Sequence, residues 1–159
     1  MPNQGLDRID DAILQALQNN ARITNRELAA EVGLAPSSCL ERVRRLTDRG
    51  VLTGYRAEVD PAALGIGLQA LVAVRLARHS RDLVEGFRAH LLTLREVVSV
   101  FHMGGENDFL VHVAVRDADH LRDLALDAFT TRDEVRHIQT ALVYEQVRPG
   151  VWPNYAVDA

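Results

Sequence analysis

Between Thr24 and Gly50 the chain reads TNRELAAEVGLAPSSCLERVRRLTDRG, and its punctuation allows little besides two short helices meeting at a tight turn. Thr24, with Glu27 three residues on, is a capping box that opens a helix. Leu28, Ala29 and Val32 form its buried side, and Gly33 supplies the left-handed residue that ends it. Leu34 plugs the gap, and Pro36 suits the first turn of the next helix. There Cys39, Val43 and Leu46 recur at i, i+4 and i+7 as one apolar stripe. Ser37, Ser38, Glu41, Arg42 and Arg45 are left for other faces, and Gly50 closes the helix. An earlier helix, Leu6 to Asn19, places Ile9, Ile13, Ala16 and Leu17 inward and Asp7, Arg8, Asp11, Gln15 and Gln18 outward. Its Asp7, Asp10 and Asp11 suit the positive end of the helix dipole.

Such a pair is a helix-turn-helix pattern, and its second helix fits a reader of double-stranded DNA. Ser37, Ser38 and Glu41 can approach base edges, while Arg42 and Arg45, with Arg44 beside them, can hold phosphates. The blander alternative is a small helical bundle with a solvated basic face. A net charge of −4 argues at first against nucleic acid. That total hides a split. Residues 1–53 carry seven arginines against seven carboxylates, and the remainder eleven against fifteen. Arg42, Arg44, Arg45 and Arg49 fall within eight positions. Every one of the 18 cationic residues is arginine, a bias that a GC-rich genome produces and that carries little functional weight.

A length of 159 residues admits one domain or two, and 47% apolar with 25% charged residues is ordinary for a globular protein. No apolar run approaches the roughly 18 residues of a membrane helix. The start, MPNQGLDRIDD, has neither a basic stretch nor an apolar one, so no secretion signal is expected. The single Cys39 excludes an internal disulfide and fits a reducing compartment, so the expected location is cytoplasmic. On the apolar stripe, without a neighbouring histidine, that cysteine reads as packing rather than as a nucleophile.

Residues 51–60 read as a short hairpin or wing that runs into an extended connector punctuated by Pro61 and Gly65-Ile66-Gly67. The periodicity then changes. Strands are expected at Leu68–Ala77, Glu96–Met103, Asp108–Val115 and, longest of all, Val135–Arg148. Helices are expected at Arg81–Leu94 (Leu83, Val84, Phe87 and Leu91 inward) and Ala118–Phe129 (Leu121, Leu124, Ala125 and Ala128 inward). The order βαββαβ is the ferredoxin-like split motif, a four-stranded antiparallel sheet with two helices on one face. The expected fold is thus α+β, with a winged helix-turn-helix domain at 1–53, a connector at 54–66, a ferredoxin-like domain at 67–148 and a tail at 149–159. Clean alternation is missing from the strands: Val98/Val100 and Val97/Phe101/Met103 are both apolar sets, as are Leu71/Ala73 and Val72/Val74. A helix-free face this apolar calls for a second copy as cover, giving a two-fold dimer.

The stretch from LDRIDDAILQAL to VDPAALG, and after it GGENDFLVHVAV and VRHIQTALVYEQV, resembles the leucine-responsive/asparagine-responsive (Lrp/AsnC) transcription regulators. The resemblance runs roughly from Leu6 to Arg148, with both halves in the expected order. It implies a winged helix-turn-helix, dimers built through the second domain, assembly of dimers into octamers, and an amino acid effector. Ala35 departs from the Ser or Thr usual before the proline, which costs about 1 kcal/mol of capping unless Ser37 or Ser38 substitutes. Gly104 stands where a small hydroxyl residue is usual and Ile138 where a Thr is common, while Thr140 matches the family. If these positions line the effector site, its preference is altered.

The turn Gly104-Gly105-Glu106-Asn107-Asp108 reads on its own as a hairpin turn. Its glycines also permit close backbone approach, so that amides meet a ligand carboxylate while Asp108 answers an ammonium. The resemblance implies that this turn, with Thr140, is the effector-binding loop where dimers meet. No metal site and no cofactor is expected. The histidines are dispersed, and pairing His102 with Phe109 and His112 with Ser99 sends those two to opposite faces. An enzyme is the alternative, because siroheme decarboxylases are similar in their two-domain layout and use histidines and arginines. His102, His112 and His137 keep that option open, and the arginine-loaded third helix opposes it.

Overall fold

The structure, a computed structural model, describes residues 5–147 and 150–157. The chain divides into two compact units, one of residues 1–58 with 147–159 and one of residues 59–146.

In the first unit, α1 (Arg8–Asn19), α2 (Asn25–Glu31) and α3 (Pro36–Asp48) enclose a core of Ile13, Ala16, Leu17, Leu28, Ala29, Cys39 and Leu46. Leu34 and Val43 pack at its rim. Asp7 and Asp10 form a capping box on α1, and Thr24 and Glu27 form one on α2. Both α2 and α3 end in a Schellman motif. Leu34 N donates to Ala29 O and Gly33 N to Ala30 O, and Val51 N donates to Leu46 O and Gly50 N to Thr47 O. Each glycine has φ of 69°, which explains why the chain spends glycine there. No strand forms over residues 51–60, so the expected hairpin is absent and the segment serves as connector alone. Described tail residues lie against α1: Trp152 N donates to Gln18 Oε1 (3.0 Å) and Asn154 Nδ2 to Asp11 Oδ1 (2.7 Å). Gln18 and Asp11, expected to face solvent only, hold the tail.

The second unit is the βαββαβ motif. Strands β1 (Leu68–Leu76), β2 (Val97–His102), β3 (Phe109–Val115) and β4 (Val135–Leu142) form an antiparallel sheet in the order β2-β3-β1-β4. Helices α4 (Arg81–Leu91) and α5 (Ala118–Leu124) supply the core partners of the sheet. A wider π turn, Ala125–Thr130, continues α5 and buries both Ala128 and Phe129, neighbours that a regular helix would separate by about 100°. Phe87, Phe109 and Phe129 meet at the centre, with ring centroids 5.3 Å and 6.4 Å from Phe87. The last strand stops at Leu142, short of the expected Arg148, which itself lies outside the described residues.

The expected face assignment in β2 needs correction. A bulge at Val98 shifts the register, so Val97 opposite Val113 and Val100 opposite Val111 both pack on the core, while Phe101 turns to the helix-free face. That face carries Leu71, Ala73, Leu110, Ala114, Ala141 and Phe101, interrupted by Gln69, Ser99, His112, Arg75, His137 and Gln139. It is less apolar than the strand pattern alone suggests, with Phe101 53% exposed at its β2 edge.

Candidate DNA-reading helix and effector cleft

Ala35 stands at the N-cap of α3 in extended backbone, and no side chain caps the helix; neither Ser37 nor Ser38 takes over that role. Ser37, Ser38 and Glu41 are exposed along the start of α3, and so is Arg44, which makes no ion pair among the described residues.

Arg42 is placed differently from expectation. Its Nη1 donates to Asp7 Oδ2 (2.6 Å) and to Asp10 Oδ1 (2.8 Å), which turns the guanidinium toward α1 rather than into solvent. Arg45 also reaches Asp10, through Nη2 at 3.2 Å from each carboxylate oxygen, but stays half exposed. The Asp10 side chain is 1% exposed, and two arginines and the Asp7 amide surround it, the partners that a buried carboxylate requires. The hydrogen bond from Arg42 is the main reason the Asp7 carboxyl is held below its ordinary range, and the same bond raises Arg42. Sequence reading treated Asp7 and Asp10 as partners of the helix dipole and missed this cluster. The available signal was the i, i+3 spacing of Asp7/Asp10 and of Arg42/Arg45, which puts each pair on one helix face. Cys39 is fully buried, and burial pushes its thiol up, away from nucleophilic thiolate.

In the second unit a cleft of about 510 Å³ lies between the start of α4 and the β2–β3 turn. Gly104, Gly105 and Asp108 line it; Glu106, Asn107 and Thr140 are not among its lining residues. Only Gly105 of the two glycines has positive φ, at 128°. The turn is latched to the end of β1. Asp108 N donates to Val74 O, Asp108 Oδ2 accepts from Leu76 N at 2.7 Å, and Arg75 pairs with the carboxylate and carbonyl of Glu106. The remaining oxygen of Asp108 meets His79 Nδ1 at 2.8 Å, and His79 is largely exposed. That oxygen of Asp108 is thus covered only by a surface imidazole, while the other holds the buried backbone bond. Across the cleft stand Arg81, Glu85 and Arg88, with Val84 and Met103 as apolar wall. These α4 residues escaped sequence reading because on a helix they look like an ordinary solvated face. Ile138 packs on the core and Thr140 is exposed on the same strand, so the two family positions on β4 sit outside this cleft.

The histidines do not converge. His102 lines the cleft and stacks on Phe109 at 5.0 Å, whereas His112 is buried on the opposite sheet face against Gln69 at 2.8 Å. His137 pairs with Arg75 on that opposite face, four residues along β1 from the partner of His112. Among the described residues no helix is long and apolar enough to cross a membrane, and no group of three or more potential metal ligands occurs.

Comparison with known proteins agrees with this arrangement. Residues 6–53 match the family model for a winged helix-turn-helix DNA-binding domain, and residues 69–153 match the Lrp/AsnC ligand binding domain. The chain is 43% identical to the HTH-type transcriptional regulator AldR of Mycolicibacterium smegmatis over 90% of this chain and 84% of that protein. It is 37% identical to the leucine-responsive regulatory protein of Escherichia coli, over 92% and 90% respectively. Among solved structures, a transcriptional regulator of Neisseria meningitidis in complex with L-Met superposes with a TM-score of 0.84 at 35% identity, covering 92% of this chain and 94% of that one. These relatives are named as regulators, not as enzymes. The winged helix-turn-helix, the four-stranded sheet with its helices and the matches over both halves make this chain a member of the Lrp/AsnC family, a DNA-binding transcriptional regulator with a ligand-binding domain of that type.

Proposed function

We propose that an α-amino acid bound in the second unit controls operator binding by α3. The observation that carries this reading is the cleft, which sets Asp108 and Glu85 among Arg81, Arg88 and the Gly104–Gly105 backbone. That charge pattern suits a zwitterion, and the volume lies in the range of small-molecule sites. The L-Met complex of the Neisseria relative supports the same ligand class. Glu106, held by Arg75, and the half-buried Asn107 lie outside the cleft lining, and in this reading they and the exposed Thr140 meet a neighbouring dimer. Such a site couples ligand to assembly, because a ligand shifts only an equilibrium whose two states it binds unequally. Calorimetric titration with the proteinogenic amino acids tests the reading. One amino acid is expected to bind, and Asp108→Asn to weaken it while operator binding stays near normal. Unchanged affinity in that variant refutes the role of Asp108.

On DNA, the exposed Ser37, Ser38 and Glu41 face the bases and Arg45, helped by Arg44, meets phosphate. One unit presents a single reading helix, and a second copy packed on the helix-free sheet face pairs the helices; pairs then assemble toward an octamer. Phe101→Glu is expected to shift the protein to monomer in light scattering after size-exclusion chromatography. An unchanged mass refutes that face as the dimer contact. A cytoplasmic location follows from the DNA partner.

A further inference from the structure

The carboxylates of α1 do more than dock one helix on another. We propose that Asp7 and Asp10 act as an internal stand-in for DNA phosphate, withholding Arg42 from the duplex and aiming Arg45 toward it. The inference rests on the reading that α3 contacts DNA, and it assigns the two arginines different tasks.

Four charges are arranged two against two. Arg42 and Arg45 lie one turn apart on α3; Asp7, the N-cap of α1, and Asp10 lie three residues apart at its start. Both short bonds of Arg42 leave from Nη1, at 2.6 Å and 2.8 Å, and the side chain is only 24% exposed. Charge-assisted bonds of this length are what an arginine makes to a phosphate oxygen. An Arg42 moving to DNA would exchange one such pair for another and leave Asp10, 1% exposed, with only the longer contacts from Arg45 and the Asp7 amide. Removing the shortest partner of a buried charge is costly, so the exchange does not favour DNA. Arg45 differs. Its contacts to Asp10 are longer, they use Nη2 alone, and half the side chain is exposed. Its other guanidinium nitrogens make no hydrogen bond or ion pair among the described residues, while Asp10 fixes one corner of the fork. Losing less side-chain freedom on binding is a gain in affinity without an added contact.

Asp10 and Asp7 are thus positioning residues, and their role has a signature that a purely structural one lacks. Each phosphate neutralised contributes about 0.9 to the slope of log affinity against log salt. A committed Arg42 contributes nothing to that slope, and a half-free Arg45 contributes about one unit per head. One extra contact changes the ratio of affinities at about 50 mM and about 200 mM salt by roughly threefold.

The test uses the full-length protein and two duplexes, the DNA upstream of its own gene and a random sequence, titrated across a salt series by fluorescence anisotropy. Arg45→Gln is expected to flatten the slope by about one unit per head, and Arg42→Gln to leave the slope in place while lowering the thermal midpoint. Asp7→Asn keeps the cap of α1, since asparagine caps as well as aspartate. It loosens Arg42, and it is expected to steepen the slope and to tighten binding to the random duplex most. If Arg42→Gln fails to fold, Asp7→Asn decides the matter alone. A wild-type protein that binds, with Arg42→Gln flattening the slope as Arg45→Gln does, or with Asp7→Asn leaving it unchanged, overturns the inference and spares the DNA reading. A wild-type protein that binds neither duplex at any salt overturns both.

Discussion

Replacing Ala35 by serine is expected to stabilise the first unit, and the structure sets how much. Asp7, Thr24, Ser80 and Asp117 each accept a backbone N–H at the start of their helices; α3 begins at Ala35 without such a bond. The backbone at position 35 already has cap geometry, with φ −66° and ψ 143°, so a serine hydroxyl needs no rearrangement to reach the amide of Ser37 or Ser38. A side-chain cap contributes about 0.5–2 kcal/mol. Here the first residues of α3 are exposed, and exposed amides exchange a water hydrogen bond for the cap, so the gain belongs at the lower end, about 0.5–1 kcal/mol. For a unit of this size, 1 kcal/mol moves the midpoint by about 4–8 °C, giving an expected rise of about 2–8 °C. Calorimetry of the wild-type and Ala35→Ser proteins measures it, and urea titration with an unchanged m-value shows that stability rather than compactness has moved. A midpoint that stays put or falls would refute the reasoning, because it would mean that the amides at the start of α3 are satisfied by something other than water.

Three further perturbations probe other parts of the molecule. A Cβ on Gly67 would lie 2.3 Å from the carbonyl oxygen of Arg116, so Gly67→Ala is expected to destabilise the second unit by about 1–3 kcal/mol, read from the urea midpoint. Phe87→Ala empties the centre of the aromatic cluster and is expected to cost about 3–5 kcal/mol in the same assay; a loss below about 1 kcal/mol would show that the site collapses. Acid is expected to weaken the first unit. Asp7 is held low chiefly by Arg42, and Glu27 chiefly by the Thr24 hydroxyl, so both stabilise the fold above the pH where the unfolded chain titrates, about 4. That contribution disappears as pH falls through the lower folded values. Thermal midpoints taken down to about pH 3 should therefore drop, and drop less in Asp7→Asn; equal drops would remove Asp7 from the account.

Element by element, much of the fold was legible in advance. The capping box at Thr24 and Glu27, the glycines at the ends of α2 and α3, and the apolar stripe Cys39–Val43–Leu46 are local patterns, and local patterns specify short helices. The order of strands and helices in the second half, and the opposite facing of His102 and His112, followed from period and register. Val98 shows where that reasoning stops. A bulge adds one residue to a strand without changing its composition, and the face of every residue before it is then inverted. The end of β4 at Leu142 and the missing hairpin at residues 51–60 are likewise matters of which backbone groups find partners, and apolar content does not reveal that.

The sequence by itself determined the two-part α+β architecture, the capped helices and the presence of an arginine-loaded helix beside a glycine turn, because each depends on residues within about one or two turns of one another. Only the tertiary structure decided what the charges are for. Arg42 lies 32 residues from Asp10, and Arg75 lies 31 from Glu106. At that separation spacing carries no information about contact. Burial settles it: Asp10 loses its water when α1 packs on α3, and the nearest cations must then turn inward to hold it. An arginine that a linear reading assigns to DNA is in this way claimed first by the protein's own core.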